Sequence, residues 1–145
     1  TFPMFGVERA GAPVQSYVRV SDKKINTRSQ IYHPDIVLVL DASLLDVVDV
    51  TEGMSQDGFV LINSNKTPNL KIKNIKTIDA TTIALEIFKR PIVNTPILGA
   101  FAKATGLITL NSLKKAINEK FTQTKGEHIA ELNKKAVEKV YQMTK

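Results

Sequence analysis

Apolar and polar positions follow different rhythms in different stretches of this chain, and each rhythm predicts a different element. Residues 1–13 have no period, because Phe2, Pro3, Phe5, Gly6, Gly11 and Pro13 interrupt it. From Val14 to Val20 the side chains alternate, with Val14, Ser16, Val18 and Val20 on one face. Ser21-Asp22-Lys23-Lys24 reads as a turn, and Ile25 to Ile31 alternates again, so this pair predicts a β-hairpin. The rhythm then changes to unbroken apolar runs. Ile36 to Leu40 and Phe59 to Ile62 are β-branched and apolar throughout, as expected of strands buried on both faces. A third strand is predicted at Ile75 to Ile78. A short helix-like stretch (43–50) follows the first of these strands, and a polar loop (64–74) follows the second.

The second half has helical spacing. Asp79 is a suitable N-cap for a helix over 80–89, with Ile83, Ile87 and Phe88 inward and Pro91 stopping it. Thr95-Pro96 predicts a second start, cap followed by proline, for a helix to about Thr105 closed by Gly106. Thr109 caps a third, with Leu113, Ile117 and Phe121 on one face. The last begins near Gly126, with Ile129, Leu132, Ala136, Val140 and Met143 as its stripe and Glu131 and Lys135 as an i,i+4 pair. Strands alternating with helices imply an α/β fold. The expected architecture is a Rossmann-like three-layer sandwich with a mixed, mostly parallel sheet, the hairpin supplying the antiparallel part. Residues 1–145 read as a single domain, without repeats or linkers.

Composition narrows the chemistry. Among 145 residues there is no cysteine, which removes disulfides, thiolate catalysis and Fe–S clusters held by the chain's own thiolates. His33 and His128 have no zinc-site spacing. No apolar run reaches the ~20 residues of a membrane span, and no signal peptide is visible, so the expected location is cytoplasmic. The net charge of +6 is lopsided: residues 1–65 carry −3 and residues 66–145 carry +9. The basic half reads either as a solvated lysine-rich surface or as a face for an anionic partner. Nucleic-acid readout is not expected, since sixteen of the twenty basic residues are lysine and no aromatic residues are interleaved with them.

Three places can carry chemistry. Asp41, Asn63 and Asp79 end the three predicted strands, where open α/β sheets bind ligands; they read equally as turn and cap residues. The helix from Thr95 is apolar nearly all round, with Lys103 its only charge, which predicts that one side is covered by another chain. Its start at Asn94-Thr95 is either an anion site or simple capping by Thr95. Gly99 on that helix predicts close approach of a neighbouring backbone. The segment Phe5 to Pro13 places Glu8 and Arg9 between Gly6 and Gly11. Arg9 there is a clamp for phosphate or carboxylate, or else a structural ion-pair partner. No Walker A, G-x-G-x-x-G, G-x-S-x-G or thiamine diphosphate motif is present, and no catalytic residue is assigned.

Phe2-Pro3-Met4-Phe5-Gly6-Val7-Glu8-Arg9-Ala10-Gly11-Ala12-Pro13-Val14 resembles a segment of the gamma subunits of pyruvate or 2-ketoisovalerate ferredoxin oxidoreductases. Later segments match in order: His33-Pro34-Asp35, Asp41-Ala42-Ser43-Leu44-Leu45, Gly58, Ile62-Asn63, Asp79-Ala80-Thr81, Arg90 to Phe101, Thr105-Gly106 and Asn133. The resemblance implies one subunit of an oxidoreductase that acts on the oxo group of a 2-oxo acid such as pyruvate. That enzyme uses coenzyme A as co-substrate and yields acyl-CoA, CO₂ and reduced iron–sulfur protein. It implies no cofactor on this chain alone. Thiamine diphosphate, Mg²⁺ and Fe–S clusters are expected on partner subunits, and ferredoxin or flavodoxin is met through the complex. Gly6, Glu8, Arg9 and Gly11 become a candidate CoA-facing or intersubunit loop, with Asn94 and Thr95 as further candidates. The family's earlier strand and helix, with a G-x-G-G-Q-G loop, is not among these residues, which implies an N-terminally shortened subunit. The alternative is a freestanding nucleotide-binding or regulatory α/β domain.

Overall fold

The computed structural model describes residues 2–3, 13–27 and 29–145. The two apolar runs and the Ile75 segment form a three-stranded sheet: β3 (Ile36–Val39), β4 (Phe59–Asn63) and β5 (Asn74–Ile78), in spatial order β3-β4-β5. Both pairings are parallel, with Leu38 opposite Leu61 and Leu61 opposite Lys76. Parallel strands are covered on both faces, which is why β3 and β4 are apolar without alternation.

The two sheet faces meet different layers. Leu38, Phe59, Leu61 and Ile78 point to one side, against α1 (Ala80–Phe88), α2 (Ile97–Thr105) and α4 (Glu127–Met143). Val39, Val60 and Ile62 point to the other. There the cover is a 3₁₀ turn at Ala42–Asp46, contributing Leu44 and Leu45, and loop residues including Val50, Met54, Leu70 and Ile72. The fold is therefore α/β and Rossmann-like, with α-helices on one face and a 3₁₀-and-loop layer on the other among the described residues.

The predicted hairpin is not formed. Its first half contributes only β2 (Ser16–Tyr17), which pairs antiparallel with β1 (Phe2–Pro3) in a separate ribbon. Residues 25–27 and 29–31 form no strand. The Arg19 guanidinium instead donates to the carbonyls of Ser29 (2.6 Å) and Gln30 (3.0 Å), bridging the two arms by a side chain. The described sheet is thus parallel rather than mixed.

The expected partner contact of α2 is also corrected. Ile97, Gly99, Ala100 and Ala102 are buried, but the chain itself buries them. The sheet and α1 cover one side, while α3 (Leu110–Lys125) and α4 cover the other through Leu113, Ile117 and Val137. Gly99 permits this arrangement. A Cβ there would lie 2.2 Å from the Val137 carbonyl oxygen and 3.0 Å from the Tyr141 nitrogen, so the close backbone is that of α4. Within α4 the buried positions are Ala130, Asn133, Ala136, Val137 and Val140; Ile129 and Met143 of the predicted stripe are exposed. Glu131 pairs with Lys134, one turn position earlier than Lys135.

Candidate functional site

The carboxyl ends of the three strands open onto a cleft of about 770 Å³, walled by Leu40 to Ala42, Asn63 to Asn65, Asp79, Thr81, Thr82, Pro91 and Val93. The three predicted strand-end residues meet here because parallel strands place their ends on one side. Each is engaged within the chain. Asp41 accepts from the Ser43 N–H (2.9 Å) and the Ser43 hydroxyl (2.8 Å), capping the 3₁₀ turn. Those two bonds, the backbone one foremost, hold its carboxyl below the usual aspartate value. Asp79 caps α1 by accepting from the Thr82 N–H (2.9 Å) and hydroxyl (2.7 Å).

Asn63 sits at the centre. It is buried, and its amide donates to the Leu40 carbonyl and the Thr81 hydroxyl, both at 2.9 Å. Its Oδ1 accepts from the Ala80 N–H at 3.0 Å, on the first residue of α1. One side chain thus ties the end of β3 to the start of α1 and fixes the width of the cleft. Sequence reasoning placed Asn63 at a strand end but missed this clamp. The only available signal was an amide, with both donors and acceptor, directly after a buried run.

The start of α2 lies next to this cleft in the chain. The N-cap is Pro96, with no side-chain cap bond, so Thr95 does not cap the helix as predicted. Asn94 Oδ1 instead accepts the Thr95 N–H (3.0 Å). The N–H groups of Ile97, Leu98 and Gly99 reach the carbonyls of Val93, Thr95 and Pro96. Proline supplies no donor. Every main-chain donor from Thr95 to Gly99 therefore has an acceptor inside the chain. Gly6, Glu8, Arg9 and Gly11 lie outside the described residues.

This arrangement provides a shaped cleft with a polar rim. No group of three His, Asp or Glu side chains converges on a point among the described residues. With no cysteine in the chain, its residues do not fit an Fe–S cluster held by thiolates. His33 bonds the Gly53 carbonyl through Nδ1 (3.1 Å), a link between two loops. No helix among the described residues is long and apolar enough to cross a membrane.

Residues 1–143 match the pyruvate ferredoxin/flavodoxin oxidoreductase family. The chain belongs to that family. Among curated relatives it is 48% identical to the pyruvate/ketoisovalerate oxidoreductases common subunit gamma of Thermococcus litoralis, over 98% of this chain and 82% of the relative. It is 52% identical to pyruvate synthase subunit PorC of Methanothermobacter marburgensis, over 96% of this chain and 78% of the relative. The crystal structure of pyruvate oxidoreductase subunit PORC from Thermotoga maritima superposes with a TM-score of 0.66 at 35% identity. That superposition covers 77% of this chain and 64% of the Thermotoga chain. These relatives favour an oxidoreductase subunit over a freestanding nucleotide-binding or regulatory domain. As a member of the pyruvate ferredoxin/flavodoxin oxidoreductase family, the chain brings an Rossmann-like scaffold whose strand-end cleft is braced from within.

Proposed function

We propose that this chain is the gamma subunit of a multi-subunit pyruvate:ferredoxin oxidoreductase, a pyruvate synthase. The complex oxidatively decarboxylates a 2-oxo acid with coenzyme A, giving acyl-CoA and CO₂ and passing electrons to ferredoxin or flavodoxin. The reading is carried by the family match over residues 1–143, together with relatives near 50% identity that bear the gamma and PorC names. A chain without cysteine is compatible with that reading, since the Fe–S chemistry would then need thiolates from other subunits. Thiamine diphosphate, Mg²⁺ and the Fe–S clusters then belong to partner subunits, which supply decarboxylation and electron transfer in the cytoplasm. This chain's own part is to shape and brace. Asn63 holds β3 to α1, the caps at Asp41 and Asp79 fix the cleft rim, and Gly6, Glu8, Arg9 and Gly11 form the CoA-facing or intersubunit loop. Asn94 and Thr95 contribute by setting the start of α2 rather than through free donors.

The test is reconstitution. The isolated chain is expected to show no 2-oxo acid-dependent reduction of ferredoxin, and adding it to a complex purified without it is expected to restore CoA-dependent turnover. Turnover by the chain alone, or full turnover without it, refutes the proposal.

A further inference from the structure

A second concavity, of about 420 Å³, lies at the opposite end of the sheet from the strand-end cleft. Ile36, Phe59 and Ile75, at the amino ends of the three strands, line it. Leu107, 57% exposed just after α2, stands at its wall with Lys73 and Lys76. We infer that this groove docks an acidic segment of a neighbouring oxidoreductase subunit, with an apolar side chain seated between Phe59 and Leu107. The inference rests on the subunit reading above and specifies one of its interfaces.

Charge points to an acidic occupant. Two chain stretches build most of the groove, 58–78 and 91–118. The first holds four lysines and the second three, with no Asp or Glu in either; Asp35 and Asp57 adjoin the groove at Ile36 and Asn74 and leave lysine in excess. Lys73 makes no ion pair among the described residues. Among the described residues Lys76 donates to a main-chain oxygen of Lys145 (2.7 Å). An apolar floor with lysine ammonium groups at its edge, Lys73 among them without an ion pair among the described residues, is complementary to a carboxylate-flanked apolar residue.

The remaining polar groups argue for a protein rather than a small ligand. Asn74 Nδ2 is bonded to the Asp57 carbonyl (3.1 Å), and the Thr105 hydroxyl to the Phe101 carbonyl (2.7 Å). The charged groups at its edge are lysine heads on flexible stems, which attract charge without fixing geometry. A second copy of the chain could bring acid too, since residues 29–65 hold six carboxylates and no Lys or Arg. That contact would join two different patches, and such a heterologous contact closes only in a ring or grows without end.

The experiment replaces the wild-type chain in its host by K73E/K76E, by K73Q/K76Q and by L107S. The oxidoreductase is then purified through another subunit, and this chain's share of it is quantified by mass spectrometry at low and physiological salt. K73E/K76E is expected to lower that share about tenfold. K73Q/K76Q and L107S should lower it by smaller factors, and all three isolated chains should melt as the wild type does. Should the reversal variant melt early, K73Q/K76Q decides, since it removes the charge without introducing repulsion. Wild-type shares for K73Q/K76Q and L107S overturn the inference. So does a wild-type chain that self-associates at low salt through these lysines, which makes a second copy the occupant. A wild-type chain absent from the purified complex refutes the subunit reading itself.

Discussion

Gly99→Ala sets two physical effects against each other, and the sign of the outcome tells which governs the α2–α4 contact. Gly99 is in the interior of α2, where replacement by alanine alone favours the helix by about 1 kcal/mol. The added Cβ would lie 2.2 Å from the Val137 carbonyl oxygen, whereas Cβ atoms essentially never come within 3.0 Å of a neighbour. The two helices must separate by about 0.8 Å or more along that line. The colliding atom belongs to the backbone of a long helix and has no rotamer to escape into. Moving α4 also loosens Val137 and Val140, both fully buried. Overpacking of a dense core costs about 1–3 kcal/mol, and a backbone collision falls at the upper end. After the propensity gain the net loss is about 2 kcal/mol. For a domain of this size that lowers the melting temperature by roughly 4–8 °C. Thermal unfolding of the isolated chain followed by circular dichroism reads the shift. A Gly99→Ala chain that melts at or above the wild-type temperature refutes the close approach and with it the internal covering of α2.

Asn63→Ala strands the buried Ala80 N–H and frees the end of β3. We expect a loss of about 2–3 kcal/mol in urea unfolding; a loss below 0.5 kcal/mol would remove Asn63 from its bracing role. Arg9→Ala is expected to impair turnover or assembly of the complex while leaving the melting temperature of the isolated chain within about 2 °C. A large melting loss with activity following it would make Arg9 structural. Acid should weaken the fold through carboxylates held down by native hydrogen bonds. Glu86 is lowered chiefly by its bond to Lys139 (2.5 and 2.6 Å), and Asp49 chiefly by the Thr51 hydroxyl. A depressed carboxylate contributes fully above its unfolded value and loses that contribution as pH falls through the folded one. Stability should therefore decline below about pH 4.5, the ordinary glutamate value. The decline should be shallower in Lys139→Met, and an identical pH profile in that variant would show that the Glu86–Lys139 pair contributes nothing.

Much of the fold was legible because its signals are local. The runs Ile36–Leu40 and Phe59–Ile62 both hold strands, although β3 is only partly buried and leaves Leu40 exposed, and Asp79, Thr109 and Gly106 punctuate their helices as expected. The hairpin failed because alternation specifies a strand but not its partner. Val14, Val18 and Val20 remain 57–79% exposed, and Arg19 crosses to Ser29 and Gln30 in place of a ladder. The burial of α2 was legible, but not its cause. The helices that cover its second side, α3 and α4, come later in the chain, and only the packed structure shows α4 pressed onto Gly99. The stripe of α4 was misplaced for a related reason. That helix meets α1, α2 and α3 at once, so Asn133 and Ala130 go inward and Ile129 stays outside. At the strand ends the residue types were visible and their partners were not. An asparagine that could bind a ligand and one that clamps a helix to a strand look alike until Leu40, Ala80 and Thr81 are brought around it.

The most direct test of the account is native purification of the protein from its source, with identification of co-eluting chains and assay of bound metal and thiamine diphosphate. The account predicts one large species in which this chain accompanies other subunits bearing iron, acid-labile sulfide and thiamine diphosphate, with pyruvate-dependent ferredoxin reduction in the same fractions. Elution as a lone chain, with that activity in fractions that lack it, would contradict the account.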